Sequence, residues 1–286
     1  MSIKVILVPV SGAISRSPLE LAVATGRKFG AHLDLLHVRP DPRNMIPYVG
    51  EGMSGALIEE VMTAAERESG DRAVTARALF ERYVAQEGIR LDGAPGEGGV
   101  SATWREDAGR EDEAVAVNGR FADLIVVSRP LREAEVPTAT LFEAALFETG
   151  QPLLVAPPEP ADGFGRRIMI GWNGSMEAAR AVTAGLPFLK RAESVWVVSV
   201  AGWGEGPRGV DAVARRLAWH GVRAEPWVAT EVPGTIGEQV LVEAARREAD
   251  MIVMGAYTQS RLRQMILGGV TRHVLSTATV PLLMAH

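Results

Sequence analysis

Two segments of the chain end in the same way, and this internal duplication limits its fold more than any other feature. Ala122-Asp123-Leu124-Ile125-Val126-Val127 leads on to Gln151-Pro152-Leu153-Leu154-Val155-Ala156, and Ala249-Asp250-Met251-Ile252-Val253-Met254 leads on to Val280-Pro281-Leu282-Leu283-Met284-Ala285. The openings match too, Ile3–Gly12 aligning with Arg167–Gly174 ahead of a helical pattern in each copy. A chain of 286 residues suggests two domains at about 100–200 residues each. The repeat assigns them to 1–157 and 164–286, each long enough for a core of its own. The stretch Pro157-Pro158-Glu159-Pro160-Ala161-Asp162-Gly163 between them reads as a semi-rigid linker, because consecutive prolines favour extended backbone.

Short apolar runs alternate with helical patterns in the second copy, which is the arrangement of βαβ units around a parallel sheet buried on both faces. Strands are expected at Ile168–Trp172, Ser194–Val200, Val222–Ala229, Met251–Met254 and Val280–Met284. Between them, Ser175 caps a helix reaching about Gly185, with Pro187 near its end. Further helices fall on Val210–His220, Ile236–Arg247 and about Gly269–Leu275. The first copy follows the same plan with a larger middle, a loop through Pro40–Gly52 preceding a helical segment over Gly55–Gln86 that Gly70-Asp71 can break in two. The expected fold is thus α/β, two tandem open-sheet domains, each with a five-stranded, mainly parallel sheet flanked by helices.

With 47% hydrophobic and 23% charged residues, the composition is that of an ordinary globular protein. A formal charge of −5 argues against a nucleic-acid binder, which needs a concentrated basic face. No apolar run approaches the ~20 residues of a membrane span, and the N-terminus lacks a signal-peptide pattern, so the expected location is the cytoplasm. The absence of cysteine closes thiol chemistry and disulfides. His37, His220 and His273 have no second ligand at metal spacing, and no metal site is expected in the protein itself.

The two copies differ after the fourth strand. The second has Gly255-Ala256-Tyr257-Thr258 and, further on, Leu267-Gly268-Gly269-Val270-Thr271, where the first has Ser128-Arg129-Pro130 and no glycine before Gly150. In an open parallel sheet, ligands sit beyond the carboxyl ends of the strands where neighbouring connections part. Glycines before a helix let backbone N–H groups approach phosphate oxygens, and the Thr271 hydroxyl adds a donor. These residues resemble the universal stress proteins, whose ATP-binding members carry a glycine, two residues, a glycine, nine residues, then a glycine and a small hydroxyl residue. Gly255–Thr258, the nine residues Gln259–Leu267, and Gly268–Thr271 reproduce that spacing, followed by Arg272-His273-Val274-Leu275 and Ala278-Thr279-Val280-Pro281-Leu282-Leu283 as in the family. Thr258 stands at the family's second glycine, Gly269 at its hydroxyl residue, and Asn173 where an aspartate is usual.

The resemblance implies a Rossmann-like sheet of the adenine-nucleotide α-hydrolase type and ATP as ligand, with Mg accompanying the nucleotide. Nucleoside contacts then fall on Trp172, Asn173 and the backbone of Val200, and further nucleotide contacts on Met254, Gly255, Thr258, Gly268, Gly269, Val270 and Thr271, with Arg261 and Arg263 in second place. Each also has a purely structural reading: a helix-entry loop for Gly268-Gly269, a cap for Thr271, a strand-to-helix turn for Asn173-Gly174, core packing for Trp172. In the first copy, Ser11, Val38 and Ser128-Arg129-Pro130 offer no such site, and no ATP is expected there. No nucleophile with an adjacent base is evident, so catalysis beyond slow ATP hydrolysis is not expected. The functional expectation is a stress-response protein in which ATP acts through the Gln259–Leu267 loop as a conformational or protein-partner switch. The alternatives are a non-nucleotide scaffold, or a small-ligand carrier using Pro40–Gly52 as a lid. The resemblance further implies pairing of Leu153–Ala156 with Leu282–Ala285 in a pseudo-two-fold arrangement, as an internally paired monomer or a homodimer.

Overall fold

The computed structural model describes residues 2–10, 16–40, 55–130, 137–159, 163–204, 206–230, 233–257 and 269–286. The first half runs β1 (Val5–Val10), α1 (Arg16–Phe29), β2 (His32–Pro40), α2 (Gly55–Gln86), β3 (Arg90–Leu91), β4 (Ser101–Gly109), α3 (Glu111–Gly119), β5 (Leu124–Val127), α4 (Pro137–Glu148) and β6 (Leu153–Val155). The second half runs β7 (Arg167–Gly171), α5 (Met176–Leu189), β8 (Ser194–Val200), α6 (Gly206–Trp219), β9 (Glu225–Ala229), α7 (Ile236–Arg246), β10 (Met251–Gly255), α8 (Val270–Thr277) and β11 (Leu282–Ala285).

The strands form one sheet in the order β3-β4-β2-β1-β5-β6-β11-β10-β7-β8-β9. Neighbours within each half are parallel. Only β6 and β11 run antiparallel, with Leu282 opposite Val155, Leu283 opposite Leu154 and Met284 opposite Leu153. The expected pairing of the closing strands is therefore satisfied within one chain. It also covers two apolar edges that would otherwise be open to association. Both halves repeat one topology, and the first adds the two-residue β3 beyond the five strands expected.

Alternation along each strand sends side chains to two layers. Ile168 and Ile170 of β7 lie in one core with Ala181 and Val182 of α5 and Val210, Val213 and Leu217 of α6. Met169 lies in the other, with Val240 and Ala244 of α7 and Val274 and Leu275 of α8. The halves are also tied through side chains: Lys28 Nζ donates to Phe164 O at 2.8 Å and Arg129 Nη2 to the Ala278 carbonyl. At the amino ends of the strands, the Asp123 carboxylate accepts the N–H groups of Lys4 and Val5, and that of Asp250 accepts those of Gly165, Arg166 and Arg167. Asp250 is thus a structural acid at the opposite end of the sheet from Gly255. Among the described residues, no helix is long and apolar enough to cross a membrane.

Two helices differ from the sequence reading. The segment 55–86 is one helix without a break at Gly70, because Ala73, Ala76, Phe80 and Val84 beyond it are all buried and outweigh the ~1 kcal/mol that an interior glycine costs. Likewise α5 continues past Gly185 to Leu189 with Pro187 inside it. Burial of Phe188 and Leu189 carries the last turn despite the missing N–H.

Helix α7 begins with a reciprocal cap. Thr235 Oγ1 accepts the Glu238 N–H, and Glu238 Oε2 accepts the Thr235 N–H at 2.6 Å. That backbone hydrogen bond, with the one from the Thr235 hydroxyl, holds the Glu238 carboxyl below its ordinary pKa. A depressed folded-state pKa contributes stability above the unfolded value of about 4.3, and this contribution disappears as pH falls through the folded value. Thr235→Ala is expected to cost on the order of 1 kcal/mol at neutral pH. Urea titrations at pH 7 and pH 3 should find the difference between wild type and variant smaller at the lower pH.

Candidate functional site

The strand order reverses at β7, which lies between β8 and β10, and the crevice opens at the carboxyl ends of β7 and β10. Beyond β7, the Trp172 N–H bonds to Val198 O at 2.8 Å. Asn173 Oδ1 then accepts the Ser175 N–H at 3.1 Å, Gly174 takes φ +81°, and Ser175 Oγ caps α5 by accepting the Ala178 N–H at 3.1 Å. Asn173 therefore builds the strand-to-helix turn. The Trp172 ring reaches toward α6, its Nε1 2.5 Å from where a Cβ on Gly209 would stand, and that nitrogen is buried without a hydrogen-bond partner among the described residues.

Gly255 ends β10 beside this turn. A Cβ added to it would stand 2.4 Å from Ala178 N and 2.7 Å from the Glu177 carbonyl carbon, so the first turn of α5 rests directly on the glycine backbone. Met254 lies opposite Gly171 in the ladder, its side chain buried in the core. Past the strand, the Ala256 N–H bonds to Ala285 O, and Tyr257 adopts φ +53°, a conformation costly for a residue with a bulky side chain. The Tyr257 N–H points to Thr271 Oγ1 at 3.3 Å. Its ring packs on Phe147 of α4, 5.7 Å between centroids, and burial pushes its hydroxyl pKa up.

Thr271 lies in the first turn of α8, which starts after Gly269. Gly269 supplies no side-chain cap, and no described atom lies within 4 Å of where its Cβ would be. The His273 N–H is paired with Gly269 O, leaving the N–H groups of Val270, Thr271 and Arg272 without intrahelical partners. The two helix N-termini differ in this respect: α5 is capped by Ser175 and carries buried Glu177 in its first turn, while α8 has no side-chain cap among the described residues and presents the positive end of its dipole. Thr258, Arg261, Arg263, Gly268 and the Gln259–Leu267 stretch lie outside the described residues, as do Ser11 and the Pro40–Gly52 lid apart from its first residue.

Val200 ends β8 with its carbonyl accepting the Trp203 N–H at 2.9 Å. This turn folds Trp203 back over the sheet, where its Cη2 stands 3.2 Å from the position a Cβ on Gly171 would take, and only 8% of the residue is exposed. Trp203 was not among the residues expected at the site. The sign of it in the sequence is the pair Gly202 and Gly204, both at positive φ, which lets the chain reverse on either side of the indole. In the first half, the turn after β5 places buried Arg129 against the carboxyl end of α8.

Residues 165–286 match the Universal stress protein family model. The second half is a universal stress protein domain, and the first half repeats its topology. Along nearly its whole length the chain resembles the crystal structure of a universal stress protein from Archaeoglobus fulgidus DSM 4304, with a TM-score of 0.72 at 15% identity over 99% of this chain and 96% of that one. A functionally unknown protein from Pseudomonas aeruginosa PAO1 has a TM-score of 0.53 at 14% identity over 99% and 92% of the two chains. At such identities the likeness is one of fold. No curated protein matches the sequence.

Proposed function

We propose that the protein is a stress-response protein whose C-terminal half takes up an adenine nucleotide in the crevice between β7 and β10. The observation that carries this reading is the N-terminus of α8, near the turn after β10, which among the described residues has no side-chain cap and no acidic residue in its first turn. A phosphate group there would accept those bonds and meet the helix dipole. ATP, with Mg accompanying it, is the ligand the motif spacing favours. Nucleotide binding would bear on the Thr271–Tyr257 contact and through it on Phe147 of the first half. The first half would then present a nucleotide-sensitive surface to a protein partner. The shift available to such a switch is limited by the difference in ATP affinity between its two states.

The scaffold reading also has specific support. Asn173 Oδ1, Thr271 Oγ1 and Val200 O each have an internal partner, and Trp203 lies over Gly171 where a planar group would enter. Calorimetry separates the two. Protein stripped of small molecules by unfolding and refolding should bind ATP with one site per chain, and hydrogen exchange at Tyr257 and Phe147 should slow on binding. A folded protein that takes up no ATP leaves the scaffold reading, and binding without altered exchange removes the switch.

A further inference from the structure

A cavity of about 230 Å³ lies at the junction of the two halves. Its walls come from both halves: Ile3 and Pro152 at the amino ends of the first half's strands, Ala184 and Pro187 on the outer face of α5, and Ala285 at the end of β11. An apolar cavity of about 150 Å³ holds a benzene ring, so this one has room for a ring and a small substituent.

The polar groups around it are mostly committed. Asp123 Oδ2 accepts the Lys4 and Val5 N–H groups at 2.7 and 3.0 Å. Thr183 Oγ1 donates to Ala179 O and accepts from Arg216, and His286 Nδ1 donates to Ala256 O at 3.0 Å. Arg180 is the arginine of the lining. It lines the cavity, is exposed to solvent, and has no acidic partner among the described residues.

The repeat offers an internal comparison. Val5 pairs with His32 as Arg167 pairs with Ser194, which makes Ser2, in the wall of the cavity, the counterpart of Phe164. At the counterpart position a cation covers an aromatic ring, Lys28 Nζ lying 5.1 Å from the Phe164 ring centroid. The cavity thus has an apolar interior, a serine at the repeat position that holds Phe164 in the other half, and Arg180 in its wall.

We propose that this junction cavity binds a small apolar monocarboxylate, its hydrocarbon body held between Ile3, Pro152, Ala184 and Pro187 and its carboxylate paired with the Arg180 guanidinium. Planar guanidinium is suited to two parallel hydrogen bonds with a carboxylate. Such a ligand would bridge the two halves, touching α5 and the end of β11. Binding of such a ligand is testable without nucleotide.

Full-length protein is titrated with benzoate and, separately, with the neutral benzyl alcohol, followed by ligand-observed NMR at millimolar concentrations. Benzoate should bind more tightly than the alcohol. Arg180→Gln should weaken benzoate about tenfold, a loss corresponding to one charged hydrogen-bonding contact, and leave the alcohol unchanged. Ala184→Phe, which fills the cavity from a half-buried position on α5, should abolish both, with thermal melting verifying that the variant folds. Absence of benzoate binding to folded wild type, equal loss of both ligands in Arg180→Gln, or retained binding in folded Ala184→Phe would each overturn the assignment.

Discussion

Gly255→Ala is expected to destabilise the protein by about 2–3 kcal/mol, a large effect for the addition of one methyl group. The added Cβ would lie 2.4 Å from Ala178 N and 2.7 Å from the Glu177 carbonyl carbon. Both are backbone atoms of a capped helix turn, so no side chain can rotate away. Either α5 moves off the sheet, exposing part of the core formed by Ala181, Val182 and Phe188, or β10 shifts against β7 and β11, with which it pairs. Gly269→Ala supplies the contrast. Its φ of −75° suits any residue and its Cβ would meet no described atom within 4 Å, so its stability should stay within about 0.5 kcal/mol of wild type. Denaturant midpoints for the two variants, with unchanged m-values, measure the difference. Equal stabilities would mean that α5 does not rest on Gly255 and that its glycine serves some other purpose.

The contrast also marks where the sequence stops being informative. The sequence reading groups Gly255 with Gly269, which stands at the family's hydroxyl position, as nucleotide contacts, while in the structure one glycine admits a helix and the other precedes a helix without giving it a side-chain cap. Larger features were legible because they depend on pattern alone. Two apolar closing strands at the same place in each copy imply a common core, and their pairing as β6 and β11 follows from the need to cover both edges. Helix ends were less legible: burial of Phe188 decides that α5 continues through Pro187, and burial depends on contacts between distant segments. Asn173 and Thr271 illustrate the same limit at the site. Both residue types bond equally well to ligand or to backbone, and only the positions of the Ser175 and Tyr257 N–H groups show that each has a local partner. Trp203 was hidden because its return over Gly171 depends on the β8 turn and on the absence of a side chain in a different strand.

If an adenine nucleotide binds with its phosphates on α8, Gly269→Asp should reduce its affinity on the order of 100-fold while leaving the fold intact or slightly firmer. Aspartate is a better helix N-cap than glycine by a few tenths of a kcal/mol, and its charge suits the dipole. A Cβ at this position meets no described atom within 4 Å. The same carboxylate would stand beside the bound phosphates, where like charges a few ångströms apart cost about 4 kcal/mol per unit pair at an effective dielectric near 20, before screening by salt and Mg. Gly269→Asn isolates the charge, because it offers the same cap and nearly the same volume without the negative group. ATP titrated into wild type, Gly269→Asn and Gly269→Asp, at low and high salt, should give near-equal affinities for the first two and a salt-sensitive loss in the third. Equal affinity in all three would put the phosphates elsewhere. Equal loss in both variants would mean that space next to Gly269, not the field of the helix end, limits binding. A melting temperature raised in Gly269→Asp together with lost ATP would show that one helix terminus is shared by stability and ligand, and that a bare glycine there favours the ligand.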